Sequence, residues 1–265
     1  MQSGATPASG SVPAPASAPI RLVDLATQHS GLPRLPSNLD AQADPGNPYA
    51  HYGSKKLLAF LAVHGVARPV QAPFGYSNFG YGLLGWVLAR RAGLSYAALV
   101  QREITGPLGM SDTVIALTAG QKRRLVQGYS QAGRPVETWD LNALAGAGGL
   151  RSTAGDLLKL LRAELHPPQA MAAAVRMTQQ LRADGPAPLK VGLGWLYTPA
   201  SQTYWHDGGT GGYTSFALFR PGEDYAVVVL YNREDIGAPQ GPFSDRVAAN
   251  VSALLAGVPA LKLGK

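Results

Sequence analysis

Cysteine is absent from the 265 residues. That excludes disulfides, zinc–thiolate sites, iron–sulfur clusters and thiol nucleophiles. No run approaches the ~18 uninterrupted apolar residues of a membrane-spanning helix. Charge is sparse, with Asp, Glu, Lys and Arg at 15%. The +7 balance is not gathered into a basic face: Lys55-Lys56, Arg90-Arg91 and Lys122-Arg123-Arg124 are scattered along the chain. A nucleic-acid surface would cluster such residues with aromatics between them, so solvated helix ends are the reading here. The five histidines, His29, His51, His64, His166 and His206, show no zinc-ligand spacing. No metal and no cofactor is expected.

What is present in excess is glycine (32) and proline (21), together one-fifth of the chain, against an average nearer ~12%. Turns and short capped elements should follow. Hydrophobic residues at 46% are enough for a globular core. Residues 1–19 are rich in Pro, Ala, Ser and Gly and carry no charge. They have neither a basic n-region nor an apolar h-region, so they read as a flexible segment and not as a signal peptide. Residues 20–265 read as one domain, mainly helical over about 20–185 and strand-rich from about 186 on.

Helices are expected from Ile20, with Leu22, Val23, Leu25 and Ala26 as the apolar face and Gly31 with Pro33 as the stop, from a Ser54 cap to Gly65, from Phe79 to Arg91 and from Ser95 to just before Gly106. Two more are expected over Thr153–Leu165 and Gln169–Leu181. Strands are expected at Val191–Tyr197, Tyr213–Arg220 and Tyr225–Tyr231, the last two joined by a turn at Pro221-Gly222-Glu223-Asp224. A helix capped by Ser244 closes the chain. This order is α+β: an antiparallel sheet covered by helices. Three strands leave the sheet open beside the first of them.

Two motifs fail on context. Gly80-Tyr81-Gly82-Leu83-Leu84-Gly85 fits G-x-G-x-x-G, but Pro73 argues against the strand that a dinucleotide site needs before it. Its glycines read as close-packing positions in a helix. Gly75-Tyr76-Ser77-Asn78-Phe79 and Gly128-Tyr129-Ser130-Gln131-Ala132 each lack the last glycine of a nucleophile elbow. Two others remain. Tyr76-Ser77-Asn78 places a phenol and an amide at a helix start. Trp205-His206-Asp207-Gly208-Gly209-Thr210-Gly211-Gly212 bares the backbone ahead of a strand, so a ligand can lie against its N–H groups.

Tyr-x-Asn followed far downstream by [Lys/His]-x-Gly resembles the class C β-lactamase-like family, which includes D-Ala-D-Ala carboxypeptidases and esterases. Pro107-Leu108-Gly109-Met110-Ser111-Asp112-Thr113, Gly148-Gly149-Leu150-Arg151-Ser152-Thr153-Ala154-Gly155-Asp156 and Gly192-Leu193-Gly194-Trp195 are similar to family segments. Leu25 to Pro33 resembles another, from which Gln28 and His29 depart. The resemblance implies the β-lactamase/penicillin-binding-protein fold and acyl transfer from lactam, peptide or ester carbonyls. It makes Tyr76 the proton-transfer group and Asn78 the residue that orients the family's lysine and the substrate amide. His206 takes the Lys slot of Lys-Thr-Gly, and Gly209 gives an oxyanion N–H. Asp207, Gly208, Thr210 and Asn232 would contact substrate.

The family's nucleophile lies in Ser-x-x-Lys, and no serine of this sequence has lysine three residues on. The expectation is a family member without its N-terminal strands and nucleophile, inactive alone. The alternative is a non-catalytic, peptide-binding pseudoenzyme. An unperturbed imidazole does not hold the full charge of an ammonium at neutral pH, and Asp207 adds a negative charge. Neutral esters or peptides are therefore expected over penicillins. Relatives of this kind act at the envelope, which implies a periplasmic setting. No nucleic acid and no membrane span is expected.

Overall fold

The computed structural model describes residues 17–42, 44–235 and 239–257. The first sixteen positions of the expected flexible segment lie outside that range. Its last three, Ser17–Pro19, form strand β1, which pairs antiparallel with β2, Ala67–Pro69. The one-turn helix α1 (Leu22–Ala26) buries Leu25 and Asp24. A buried carboxylate needs partners, and Asp24 has two, Arg21 and Arg68. Arg68 ties α1 to β2.

Helix α2 (Ser54–His64) buries Leu57 and Phe60, one turn apart, and stops at Gly65. Its cap differs from expectation: Gly53 holds the capping position, and the Ser54 hydroxyl accepts a hydrogen bond from Trp86 Nε1 at 3.0 Å. Helix α3 (Asn78–Ala92) begins where Ser77 Oγ accepts Gly80 N–H at 2.8 Å. It ends at Gly93, whose φ of 67° suits glycine. Residues 70–77 contain no strand, so the glycine motif is not a nucleotide fingerprint. A Cβ on Gly82 would meet Leu144 Cδ2 at 2.5 Å, and one on Gly85 would meet Gly146 Cα at 3.0 Å. The glycines let α3 lie directly on the 3₁₀ segment Asn142–Ala147.

Helix α4 (Tyr96–Val100), capped by Ser95, runs into a π-turn over Gln101–Thr105. Helix α5 (Ala119–Arg124) and a hairpin of β3 (Gly128–Tyr129) with β4 (Pro135–Val136) follow. Helix α6 (Ala154–Leu165) is capped by Thr153. Helix α7 (Ala172–Gln179) continues from a 3₁₀ turn at Gln169–Met171.

The main sheet has six strands: β5 (Ala183–Asp184), β6 (Lys190–Val191), β7 (Leu196–Thr198), β8 (Thr203–Thr210), β9 (Tyr213–Arg220) and β10 (Tyr225–Tyr231). They are antiparallel neighbours in sequence order. The single strand expected over Val191–Tyr197 is a hairpin instead. Gly192 N–H bonds to Trp195 C=O at 2.8 Å, and Gly194 turns with φ 89°. The glycine-rich stretch before Tyr213 is itself a strand, β8. The expected open edge beside the first strand does not exist, because β7 is paired on both sides. Among the described residues the sheet ends on β5 and β10.

Helix α8 (Phe243–Leu255) starts one residue before the expected Ser244 cap, and the Asp235 carboxylate accepts its first N–H. It packs on the face carrying Trp205, Phe216, Leu218 and Val227. The opposite face carries Tyr204, stacked on Phe219 at 5.0 Å. There the Tyr204 hydroxyl donates to Gln179 C=O at 3.0 Å, and Glu164 of α6 accepts from Gln179 Nε2 at 2.8 Å. Phe219 is fully buried, a burial worth roughly 1.5–3 kcal/mol. Among the described residues no single helix is long and apolar enough to cross a membrane.

Candidate active site

The loop between α1 and α2 is stapled to the start of α3. Gly75 N–H donates to Gln28 C=O at 2.8 Å. Ser77 N–H donates to Gln28 Oε1 at 2.8 Å. Ser77 Oγ donates to Pro33 C=O at 2.6 Å, and Phe79 N–H donates to Arg34 C=O at 3.1 Å. Gln28 achieves this from a left-handed backbone, φ 64°, an uncommon conformation for a residue with a Cβ. Ser77 is fully buried, and its hydroxyl is committed at both ends. Its work is structural: it fixes Tyr76 and Asn78 on either side of itself.

Tyr76 stands at the cleft mouth, 37% exposed. Its ring faces His206 of β8, with centroids 6.5 Å apart and planes tilted by 37°. The Arg34 guanidinium carbon lies 5.0 Å over the same ring, within cation–π range. Burial pushes the Tyr76 phenol above its ordinary range; the Asp207 charge adds to this and Arg34 opposes it. Asn78 is the first residue of α3 and half-buried.

Strand β8 sorts its side chains by alternation. Trp205 faces α8, so Asp207 does too; His206 lies on the Tyr204 face, toward Tyr76. Asp207 thus reaches Tyr76 by charge from the far face of the strand. His206 Nδ1 lies 2.6 Å from Asp207 C=O. A carbonyl can only accept, so Nδ1 carries the proton and a neutral ring leaves Nε2 as acceptor.

The β8–β9 hairpin closes on the pair Thr210–Tyr213 across a Gly211-Gly212 tip. The closing pair of a two-residue hairpin is hydrogen-bonded and the pairs alternate thereafter. Gly209, opposite Thr214, therefore directs its N–H away from β9. On that side β7 pairing stops at Trp205, so the exposed Gly209 presents its N–H to the cleft. The tip is held tightly: a Cβ on Gly211 would lie 2.4 Å from Trp139 Nε1, and one on Gly212 2.5 Å from Val136 Cγ2.

Gly208 pairs with Ser215 in the same ladder. Thr210 is half-buried beside Gly148, its methyl 4.0 Å from where a Cβ on that glycine would be. Asn232 leaves the sheet at the same end as Gly209, because Tyr231 pairs with Thr214. Its amide donates to Gln127 C=O at 2.8 Å, outside the Tyr76–His206 cluster. Two residues at the site escaped sequence reasoning. Gln28 stood out only as a departure from a family segment. Arg34 followed the quoted segment directly, and its one signal was a charge amid apolar and small residues. Among the described residues no group of three or more His, Asp and Glu side chains is placed to hold a metal ion.

A family model described as Beta-lactamase matches residues 5–249. The D-alanyl-D-alanine-carboxypeptidase/endopeptidase AmpH of Escherichia coli (strain K12) is 27% identical over 252 residues, covering 87% of this chain and 63% of the relative. The chain therefore spans less than two thirds of that curated relative's length. Among solved structures, the beta-lactamase/D-alanine carboxypeptidase of Yersinia pestis aligns with a TM-score of 0.71 and 28% identity, over 90% of this chain and 70% of that one. The class C beta lactamase of Rhodobacter sphaeroides aligns with a TM-score of 0.71 and 25% identity, over 88% and 71%. With a family model spanning nearly all of its described residues, on the α+β fold that these structures share, the chain belongs to the beta-lactamase family.

Proposed function

We propose that the cleft between the start of α3 and β8 is the acyl-transfer site of a serine hydrolase of the β-lactamase/DD-peptidase type, acting on peptide or ester carbonyls in preference to penicillins. The observation that carries this is the meeting of Tyr76 with His206, 6.5 Å ring to ring, from distant parts of the chain. On this reading Tyr76 moves the proton of the attacking hydroxyl, Asn78 orients the substrate amide, and the Gly209 N–H holds the oxyanion. Gly208 and Thr210 line the strand side. Asn232, at the same end of the sheet, holds its amide on Gln127 C=O. The charge of Asp207 disfavours an anionic group beside β8, which turns the preference away from penicillins.

The same reading makes these 265 residues a binding half of the reaction. No Ser-x-x-Lys occurs in them, Ser77 is spent as a cap, and burial holds Tyr76 as a phenol. A non-catalytic peptide-binding role is the second reading, and the absence of Ser-x-x-Lys favours it for this chain alone.

The test is intact-mass spectrometry after incubation with a fluorophosphonate and, separately, a penicillin, with circular dichroism as the fold control. A folded chain without adduct is expected. An adduct mapped to one of its serines overturns the claim of inactivity. The acyl-site assignment itself stands on ligand binding at β8: N-acetyl-D-alanine methyl ester should shift the Gly208 and Gly209 amide resonances, and their indifference would remove it.

A further inference from the structure

The outer edge of β10 carries backbone groups that the sheet does not use. The β8–β9 hairpin closes on the hydrogen-bonded pair Thr210–Tyr213, and pairing runs without a bulge through β9 into β10. Bonded pairs alternate along an antiparallel ladder, so Phe216 and Leu218 turn their backbone groups to Val229 and Val227. Ala226, Val228 and Leu230 therefore point their N–H and C=O groups outward. Among the described residues no strand lies on that side.

Sheets ordinarily blunt such an edge with charge, proline or brevity. The opposite edge is blunted: β5 is two residues long and ends on Asp184, which is paired with Lys190. Strand β10 is seven residues, Tyr225 to Tyr231, with no charge and no proline, and its Leu230 is 41% exposed. The helix beside it is also incompletely covered. Ser244, Ala248, Val251 and Leu255 recur at the spacing of one helix stripe. Ser244 and Ala248 are fully buried, whereas Val251 is 37% and Leu255 56% exposed. The Tyr225 hydroxyl lies 2.7 Å from Ser252 Oγ, so the uncovered half of the stripe lies beside β10.

A partner strand must present outward groups at the same alternation, and a second β10 does so. A two-fold axis at Val228 sets Val228 against its own copy and Ala226 against Leu230, and every outward N–H then meets an outward C=O. This axis stands perpendicular to the sheet. Each face stays on its own side, and the two α8 helices approach one another. The same register brings the Glu223 end of each strand beside the Arg233 end of the other; both residues are exposed and their charges are opposite.

We propose that the β10 edge is an interaction surface for a second copy of this chain, joining the two main sheets into one across paired β10 strands with the α8 helices alongside.

The test uses the 265-residue chain, with circular dichroism as the fold control. Sedimentation velocity over about a hundredfold range of concentration should show a species of two chains replacing one. Leu230→Lys puts a charge on the exposed edge and should weaken dimerisation about tenfold or more. Val228→Pro removes an N–H that β9 does not use and should weaken it at least as far; if that variant does not fold, Leu230→Lys decides alone. Amide exchange identifies the surface. In the dimer Ala226 and Val228 should exchange as slowly as Val227 and Val229; in Leu230→Lys the first two should exchange fast while the others stay protected. A folded chain that is monomeric at every concentration overturns the proposal. Protected Ala226 and Val228 amides in that monomer would show a segment of the same chain on the edge, and fast exchange there would leave the edge to a different partner. A dimer unchanged by the variants, or association that continues past two chains, overturns it equally.

Discussion

The side-chain oxygen of Gln28 accepts the backbone N–H of Ser77 at 2.8 Å, and both groups are buried. One glutamine thereby joins the loop after α1 to the residue that caps α3. Gln28→Ala leaves that N–H without a partner, a loss of ~1–3 kcal/mol. Gln28→Gly loses the same bond but suits the left-handed backbone at this position, so it should cost less than the alanine. Urea unfolding of the three proteins checks the order; an alanine variant as stable as the parent would refute the staple.

Tyr76 should titrate above the ordinary ~10 of a tyrosine, because burial and Asp207 both raise it. Asp207→Asn removes a charge that favours the phenol and should lower the Tyr76 pKa. Arg34→Gln removes the charge that favours the phenolate and should raise it. Carbon-13 tyrosine resonances, assigned with Tyr76→Phe, read this directly. Shifts in the opposite senses would contradict the geometry.

Asp245 carries the clearest pH signature. Burial, with the charges of Asp207 and Asp235 adding to it, pushes its carboxyl up to about 6. The folded state therefore keeps this proton after the unfolded chain has released its own near ~3.9. Stability conferred by the neutral acid is full below that value and is lost as pH rises through about 6. Asp245→Asn stays neutral throughout. Its stability relative to the parent should improve from pH 4 to pH 7.5, and a difference flat in pH would show that Asp245 is not perturbed.

Gly82 sits where α3 meets the 3₁₀ segment. A methyl there would lie 2.9 Å from Leu144 Cα as well as 2.5 Å from its Cδ2, so a side-chain rotation alone cannot make room. Gly82→Ala should destabilise by ~1–3 kcal/mol, despite alanine's better helix propensity. Thermal melting compared with Gly120→Ala, a helical glycine whose Cβ would have nothing nearer than 3.9 Å, separates packing from propensity. The Gly120 variant should be neutral or stabilised.

Elements with strong local signals were legible. Strands β9 and β10 occupy the expected residues because aromatic and β-branched side chains fill them between turn residues. Helix α3 was readable from its apolar run and the glycine that follows it, Gly93, whereas its Ser77 cap was not. Strand β8 was not, since four of its last six residues are His206, Asp207, Gly208 and Gly209, with little intrinsic strand preference. Pairing with β7 and β9 on either side, a tertiary effect, makes it a strand. The two-strand reading of Val191–Thr198 was hidden for a similar reason: glycines that look like strand interruptions are the hairpin turn. At the site, Tyr76 and His206 were visible as motifs. Gln28 and Arg34 were not, because their roles depend on the fold bringing position 28 to 77 and position 34 to 76.

The two halves of the cleft, at Tyr76 and His206, stand 130 positions apart in the sequence. A piece ending before β8 would keep a stapled phenol facing nothing, and a piece beginning at β5 would keep a bare strand. Bringing Tyr76 to His206 closes a loop whose entropy alone costs roughly 4 kcal/mol, and no local element offsets it. Ligand binding should then vanish in the same transition as global unfolding, with no fragment or partly folded state in which the cleft survives.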